Sequence, residues 1–259
     1  MTLEEMREHE WNVAWSGGKD STATIILMHE NRIPIQKIIY VRMMWDENLP
    51  ATLPVMTDFV DGAAEVFRTW GYTVQFVKSI RTGRELAERV YKRSRYPERN
   101  GMRYGITAFL RGACTFTGVK QATIRQAQDS SAFNMIGYAA DEGARISRLG
   151  GRNQSVMVAL GITEADAFDI CRKYDLLSPL YDLGVKRDGC FFCPNAKTAE
   201  RKMLMEEHPE LVKIIFGMIE DGPEQTGTYA NNWLKEYGKQ QENVSLQPKG
   251  KTRECECEV

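Results

Sequence analysis

The feature that most constrains this chain is the string Ser-Gly-Gly-Lys-Asp-Ser at positions 16–21. The apolar run from Asn12 to Trp15 precedes it and predicts a short buried strand. The apolar residues from Thr22 to His29 recur at helical spacing and predict a helix. Adjacent glycines let backbone N–H groups approach an anion, and a helix N-terminus favours negative charge. The string therefore predicts a phosphate-binding loop, with a spacing that differs from the G-x-x-x-x-G-K-[ST] loop.

Every residue of this string is a candidate nucleotide contact: Ser16, Gly17, Gly18, Lys19, Asp20 and Ser21. The glycines supply conformational freedom, and the two serines supply hydroxyl donors. Lys19 and Asp20 are also the candidate catalytic residues, because a lysine stabilises the negative charge that develops on a departing phosphate group. The alternative is a glycine turn that only joins a strand to a helix, and it is the less favoured interpretation of six such residues.

Strands and helices alternate along the first two thirds of the chain. Apolar runs predict further strands at 38–43, 73–77 and 133–138. Helical spacing predicts helices at 60–69 and 163–174, and Thr163 is the expected N-cap of the second, with Asp166 three residues on. This alternation predicts an α/β fold with a Rossmann-like, doubly wound parallel sheet.

The C-terminal third has a different pattern. Residues 177–181 predict a short strand or extended link, and 199–220 predict two helical pieces split at Pro209. The predicted organisation is a nucleotide-binding domain at 1–195, a helical extension at 196–238 and a mobile tail at 239–259.

Composition excludes several classes of protein. With 259 residues, 42% hydrophobic and 27% charged, the chain is long and apolar enough for a globular core. No apolar run is long enough to cross a bilayer, and residues 1–12 lack the apolar core of a secretory signal. A net charge of −1 excludes a uniformly basic nucleic-acid binder. Six cysteines without an export signal indicate a reducing compartment, so a cytoplasmic protein without membrane contact is expected.

The loop at 16–21 resembles the pyrophosphate loop of the adenine nucleotide α-hydrolases, the PP-loop or N-type ATP pyrophosphatase superfamily. More narrowly, the chain resembles the phosphoadenosine phosphosulfate (PAPS) reductase family. The supporting segments are WDENLP at 45–50 with DFV at 58–60, GYAADEGAR at 137–145, and PLYDLGVKRDGCFFC at 179–193. The resemblance implies an adenine nucleotide at the carboxyl edge of the sheet. It also implies contacts from Asp46, as a magnesium or ribose ligand, and from Gly137, Glu142 and Arg145.

The resemblance further implies a type of reaction. Members that cleave ATP to AMP and pyrophosphate keep the loop lysine, so Lys19 favours ATP and Mg²⁺ as cofactors and an acceptor activated for sulfur transfer. One alternative is a sulfonucleotide reductase, because Arg253-Glu-Cys255 resembles the C-terminal end of those enzymes, with Cys255 as the nucleophile. A second alternative, from another class, is a nucleotide-dependent nucleic-acid-binding module without turnover.

The cysteines suggest a second site. Cys190 and Cys193 have the spacing of two ligands to one metal. Cys114 lies in the segment RGACTFTGVK at 111–120, which resembles the family's Cys-x-x-x-x-Lys with one more residue before Lys120. Cys171 is either a fourth ligand or a buried core thiol. A 4Fe-4S cluster on three cysteines resembles relatives that thiolate tRNA and implies a sulfur-donor protein. Zn²⁺ and a metal-free thiol pair are the alternatives.

Residues 78–111 carry ten basic and three acidic side chains, a local charge of +7. Tyr91, Tyr96 and Tyr104 lie among them. Cationic and aromatic side chains together suit a phosphate backbone and stacked bases, so tRNA or DNA is a candidate partner. The alternative is a solvated surface that only attracts the phosphates of the nucleotide. The composition leaves the oligomeric state open.

Overall fold

The structure is a computed structural model that describes residues 1–110, 114–128, 131–185 and 189–223, together with Asn232, Trp233 and Lys235. The strands are β1 Trp11–Trp15, β2 Ile35–Arg42, β3 Val74–Lys78, β4 Phe133–Met135 and β5 Asn153–Gln154. The helices are α1 Leu3–Arg7, α2 Lys19–Glu30, α3 Pro54–Thr69, α4 Gly83–Ala87, α5 Thr115–Ala127, α6 Gly143–Ile146, α7 Val156–Leu160, α8 Glu164–Lys173, α9 Thr198–Glu207 and α10 Pro209–Asp221. Short 3-10 turns span Pro97–Arg99, Gly105–Ala108 and Pro179–Tyr181.

The five strands form one parallel sheet in the order β3-β2-β1-β4-β5. The central strand β1 pairs with β2 on one side and β4 on the other, so that Val13 lies beside both Ile38 and Met135. The chain winds outward from β1 to β3 and then crosses back to β4. This reversal makes the carboxyl ends of β1 and β4 the switch point of the sheet, where open α/β folds bind ligands. The predicted Rossmann-like, doubly wound α/β fold is confirmed.

Aromatic side chains of the central strand hold the helices against the sheet. Trp15 is buried and packs edge-on against Phe67 of α3, with ring centroids 5.1 Å apart. Its indole N–H donates to the Thr22 hydroxyl of α2 at 2.9 Å. Because Trp15 is the residue before the loop, these contacts position both ends of residues 16–18.

The N-terminal elements match their predictions with shifted boundaries. Helix α2 begins at Lys19, three residues before the predicted start, and α3 begins at Pro54 rather than 60. Proline suits the first turn of a helix, where its missing N–H would have no helical partner. The capping box of α8 is confirmed, with the Thr163 hydroxyl accepting from the Asp166 N–H at 3.2 Å. The sequence does not predict the short helices α1, α4, α6 and α7, the longer helix α5 or the strand β5.

The predicted strand or extended link at 177–181 is wrong. Residues Pro179–Tyr181 form a 3-10 turn, which is capped by the Ser178 hydroxyl as it accepts from the Leu180 N–H. Proline has no N–H to donate to a sheet, and its fixed φ suits the first position of such a turn.

The two helices after residue 196 are confirmed and divide at His208, immediately before Pro209. Helix α10 packs on the turn Gly105–Ala108, where a Cβ on Gly105 would lie 2.3 Å from the Met218 carbonyl oxygen. The proposed domain boundaries stay predictions, and the tail at 239–259 lies outside the described residues. No helix in the described ranges is long and apolar enough to cross a membrane.

Candidate nucleotide site

The loop at residues 16–18 is shaped by one left-handed glycine. Gly17 has φ of 80°, a conformation that glycine adopts without the steric penalty of other residues. A Cβ at this position would also lie 2.2 Å from the Met56 Cε and 3.1 Å from the Val60 Cγ2 of α3. Gly18 is the N-cap of α2 and supplies no side-chain cap. The first turn of α2 therefore keeps backbone N–H groups that no side chain of the N-cap satisfies.

The two serines of the loop hold its shape. The Ser21 hydroxyl accepts from the Ser16 N–H at 3.1 Å and donates to the Gly18 carbonyl oxygen at 3.0 Å. The two hydroxyls lie 3.0 Å apart, within hydrogen-bond distance. Ser21 is buried. Its hydroxyl thus closes the loop from inside, and Ser16 is the serine that faces the cavity described below.

Lys19 is buried and bound to two carboxylates. Its ammonium lies 2.6 Å from Asp20 Oδ1 and 3.2 Å from Glu164 Oε2, and 5.4 Å from the centre of the Phe168 ring. Burial lowers the pKa of Lys19, but the hydrogen bonds and charges of the two carboxylates outweigh it, so the pKa lies above its ordinary value. The Lys19 side chain therefore keeps its positive charge in this structure.

Asp20 shares its surroundings with other acids. Burial raises the pKa of its carboxyl, Lys19 lowers it, and the charges of Glu164 and Glu142 raise it again, so that the pKa lies above the usual range. Two carboxylates thus contact the Lys19 ammonium, and the charge of Glu142 acts on one of them, Asp20. An anionic ligand that takes Lys19 must displace at least one of them.

These residues line a cavity of about 770 Å³, which we call the loop cavity. Its volume falls within the range of small-molecule sites. Basic and acidic side chains line it in equal number, with two aromatic rings. The lining residues are Ser16, Gly18, Lys19, Asp20, Lys120, Glu142, Arg145, Glu164, Phe168, Arg172, Tyr181, Asp182, Gly184 and Val185.

The segment after β4 supports the loop from the neighbouring strand. A Cβ on Gly137 would lie 3.0 Å from the backbone atoms of Asp20 and Ser21, so the close approach at this point requires glycine. Glu142 accepts from the Ala139 N–H at 3.2 Å and from the Arg145 guanidinium at 2.8 Å. Glu142 and Arg145 reach the loop cavity, and Gly137 packs beneath it.

Several lining residues were not selected from the sequence. Glu164, Phe168 and Arg172 lie on α8, which was predicted as a helix but not as part of a site. Their spacing of about one helical turn puts them on one face, yet only the packing of α8 beside α2 turns that face toward the loop. Lys120 and Tyr181 lie within the segments quoted for the family resemblance. That resemblance is the sequence signal that could have pointed to them as site residues.

Asp46 has a different role in the structure. Its Oδ1 accepts from the N–H groups of Asn48 and Leu49, and its Oδ2 accepts from Arg84 at 2.8 Å. Burial alone would raise the pKa of Asp46, but these hydrogen bonds and the Arg84 charge hold it below its usual range. Asp46 stabilises its own turn and does not line the loop cavity, so its contact with a nucleotide stays a prediction.

Cys190 and Cys193 line a second cavity of about 520 Å³, the cysteine cavity. The Cys193 N–H donates to the Cys190 carbonyl oxygen at 2.8 Å. Between them, Phe191 and Phe192 are buried and pack against Trp45. The aromatic pair therefore anchors this loop in the core and leaves its two thiols partly exposed.

The predicted ligand set is not assembled in the described part of the chain. No group of three His, Cys, Asp or Glu side chains there could hold a metal ion. Cys114 lies at the start of α5, directly after the undescribed residues 111–113. Cys171 is buried in α8 and its thiol donates to the Lys19 carbonyl oxygen at 3.3 Å. Burial raises the pKa of Cys171 to about 12, so it is a core thiol here. Cys255 lies outside the described residues.

The comparison with solved structures finds matches for this chain. The chain is similar to the U34-tRNA thiolase NcsA from Methanococcus maripaludis with its 4Fe-4S cluster, at 15% identity and a TM-score of 0.41. The match covers 99% of this chain and 83% of that chain. No protein-family model and no curated protein matches the sequence. Similarity at this level says nothing about the function of this chain.

The basic surface at 78–111 is exposed in its central part. A cavity of about 530 Å³ is lined by Arg89, Val90, Lys92, Arg93 and Tyr104. Its three cations form no ion pair with any described residue, whereas Arg84 and Arg103 pair with Asp46 and Asp221.

The three tyrosines of this surface are not equivalent. Tyr91 and Tyr104 stack on each other with ring centroids 3.9 Å apart, and Tyr91 is buried. Tyr96 is exposed, with Arg99 over its ring at 4.5 Å. The surface therefore offers cations, and Tyr96 is the tyrosine with a substantially exposed ring.

Proposed function

We propose that this protein binds ATP in the loop cavity and cleaves it to AMP and pyrophosphate, activating an acceptor for sulfur transfer. The observation that carries the proposal is the convergence of three anion-binding features at the switch point of the sheet. They are the first turn of α2, whose N-cap Gly18 has no side chain to cap it, the buried ammonium of Lys19 and the guanidinium of Arg145. A helix N-terminus and two cations in one cavity suit a polyphosphate.

The reaction has two displacements. An acceptor oxygen attacks the α-phosphorus, the bond between the α and β phosphates breaks, and pyrophosphate leaves with the electron pair. Sulfide delivered by a donor protein then attacks the acceptor carbon, the C–S bond forms as the C–O bond breaks, and AMP leaves with the oxygen and the electron pair. In the first step Lys19 would stabilise the charge that develops on the departing pyrophosphate. To do so it exchanges Asp20 or Glu164 for phosphate oxygens.

The carboxylates of the loop cavity fit a magnesium ion that arrives with the nucleotide. Asp20 and Glu142 supply the carboxylate oxygens that Mg²⁺ prefers, and Mg²⁺ in nucleotide sites takes one or two carboxylates plus phosphate oxygens and water. Bound there, the ion would neutralise phosphate charge. The same carboxylates hold Lys19 and Arg145 in the structure, so they are free for a metal once phosphate has taken those cations.

The cysteines do not fit a 4Fe-4S cluster in the described residues. A cluster needs at least three thiolates on one group of metal ions, and no group of three ligands is present there. The proposed chemistry therefore uses an external sulfur donor, and no step passes through a cluster. Cys190 and Cys193 line the neighbouring cavity, which shares Val185 with the loop cavity.

The test is a comparison of Lys19→Met with Lys202→Met, an exposed lysine of α9 outside both cavities. We would measure pyrophosphate release from labelled ATP with Mg²⁺, in the presence of pooled RNA or DNA as acceptor. Loss of the Lys19 charge should reduce release at least about tenfold, and Lys202→Met should not change it. Equal release by the Lys19 variant and the wild type would overturn the mechanism. Sulfite formation from PAPS that is lost in Cys255→Ser would instead favour the reductase alternative.

We also propose that the acceptor or partner is a nucleic acid held at the basic surface. The three unpaired cations at Arg89, Lys92 and Arg93 support this, since phosphate contacts of this kind make binding salt-dependent. The triple change of these residues to glutamine should weaken RNA or DNA binding and lower its salt slope by about 2–3. An unchanged slope would remove this surface from the proposal. Binding without any pyrophosphate release would favour a module that does not turn ATP over.

A further inference from the structure

A tyrosine from a distant part of the chain reaches the first turn of α2. The Lys19 backbone N–H donates to the Tyr181 hydroxyl at 3.1 Å, across 162 positions of sequence. A Cβ on Gly18 would lie 3.8 Å from the same hydroxyl oxygen. The hydroxyl therefore lies beside the loop and the helix N-terminus, next to the expected position of a phosphate.

The Tyr181 ring is held in place. It packs edge-on against Phe168 with centroids 4.8 Å apart, and it ends the 3-10 turn capped by Ser178. Its hydroxyl accepts from Lys19, while its own proton has no acceptor among the described residues. Tyr181 is half-buried and lines the loop cavity, so this free hydroxyl donor faces the space that a ligand would occupy.

We propose that Tyr181 is a phosphate-binding residue whose hydroxyl donates to the bound nucleotide while it accepts from the Lys19 N–H. This role rests on the proposed ATP site. Accepting one hydrogen bond polarises the hydroxyl and strengthens the bond it donates, and a charged acceptor strengthens it further. The turn at 179–181, which replaces the predicted strand, is what brings the hydroxyl to the loop.

The electrostatics of the site keep this hydroxyl a donor. Burial raises the pKa of Tyr181, the Lys19 N–H and charge lower it, and Asp20 raises it again, with a result above the ordinary value. A raised pKa means that the hydroxyl holds its proton through neutral and mildly alkaline conditions. Phosphate therefore meets a neutral donor and no additional anion.

The test compares Tyr181→Phe with Tyr174→Phe by calorimetric titration with MgATP, pyrophosphate and adenosine. Tyr174 is a matched control, because its hydroxyl donates to Glu30 and does not line the loop cavity. Removing the Tyr181 hydroxyl should weaken MgATP and pyrophosphate binding about tenfold, since a hydrogen bond to a charged group is lost. Adenosine binding should stay the same in both variants.

The outcomes separate this role from the proposed function. Wild-type protein that binds neither MgATP nor pyrophosphate overturns both proposals. Wild-type binding with no change in Tyr181→Phe overturns only the tyrosine role. Tighter phosphate binding by Tyr181→Phe also overturns it, because the hydroxyl would then be a competitor for the loop. An equal loss of adenosine affinity would indicate a general disturbance of the cavity and would likewise contradict a phosphate contact.

Discussion

The loop cavity and the cysteine cavity are neighbours that differ in how completely they are assembled. In the loop cavity, Lys19 has two carboxylate partners and the serines close the loop through each other. In the cysteine cavity, Cys190 and Cys193 have no third metal ligand among the described residues. Both cavities share Val185 as a wall.

The difference follows from where the residues come from. The loop cavity is built on one contiguous strand, loop and helix, and its other walls are held by β4 and α8, which pack on the same elements. A shared ligand set in the cysteine cavity would require Cys114, which follows an undescribed segment. A site made of contiguous secondary structure assembles with the fold, whereas a site made of distant loops needs each loop to be positioned separately.

Metal binding in the cysteine cavity would change the comparison between the two cavities most. The sequence-based cluster prediction expects iron and sulfide after anaerobic purification. It expects their loss in Cys193→Ser and their retention in Cys171→Ala, since Cys171 is buried beside Lys19. Such a result would show that the cysteine cavity assembles with its metal. Zinc without sulfide would support the tetrahedral zinc site instead. If the protein contains no iron and no zinc, both metal predictions are wrong and the two cysteines are a metal-free thiol pair.

Thiol labelling should separate the core thiol Cys171, which lies behind the loop, from the two thiols of the cysteine cavity. At about pH 8 a thiol with its pKa near 12 has a thiolate fraction of about 10⁻⁴, roughly a thousandfold below that of an ordinary thiol. Cys171 should therefore resist iodoacetamide in the folded protein, while the partly exposed Cys190 and Cys193 react. Peptide mass spectrometry after timed labelling measures this. Labelling of all three at one rate would show that Cys171 is not buried as the structure has it.

Two glycine-to-alanine changes compare the packing of the cavities. A Cβ on Gly137 meets the backbone of α2 at 3.0 Å, whereas a Cβ on Gly189 meets Cys193 Cβ at an ordinary 3.6 Å. Gly137→Ala should lower the free energy of unfolding by about 1–3 kcal/mol, because backbone cannot move aside as a flexible side chain can. Gly189→Ala should change it by less than about 0.5 kcal/mol. Chemical denaturation measures both, and equal stability of the two variants would contradict the tight packing at Gly137.

The smallest expected effect is that of the acidic side chains of the two cavities on ATP affinity. Glu164 competes with phosphate for the Lys19 ammonium, but it is half exposed, so the ion pair is weak. Glu164→Gln should tighten MgATP binding about threefold, which corresponds to well under 1 kcal/mol. Glu200→Gln, which changes an acid of the cysteine cavity, should leave ATP affinity unchanged. Weaker binding by Glu164→Gln would show that this carboxylate serves the nucleotide, for example as a metal ligand.

The features predicted from sequence are those encoded locally. The strand, loop and helix around residues 12–29 were predicted because apolar periodicity and two adjacent glycines act over a few residues. The turn at 179–181 was missed because an apolar run that contains proline can be a strand or a turn. The packing around it decides between them.

The sequence by itself determined the parallel α/β fold and the anion-binding loop with Lys19, because both depend on short-range patterns of apolar residues and glycine. Only the tertiary structure decided what faces that loop. It placed Glu164 and Tyr181 at Lys19, buried Cys171 behind it, and turned Asp46 toward Arg84. Contacts between residues 38 to 162 positions apart depend on how the helices and loops pack on the sheet, and no local pattern in the chain encodes that geometry.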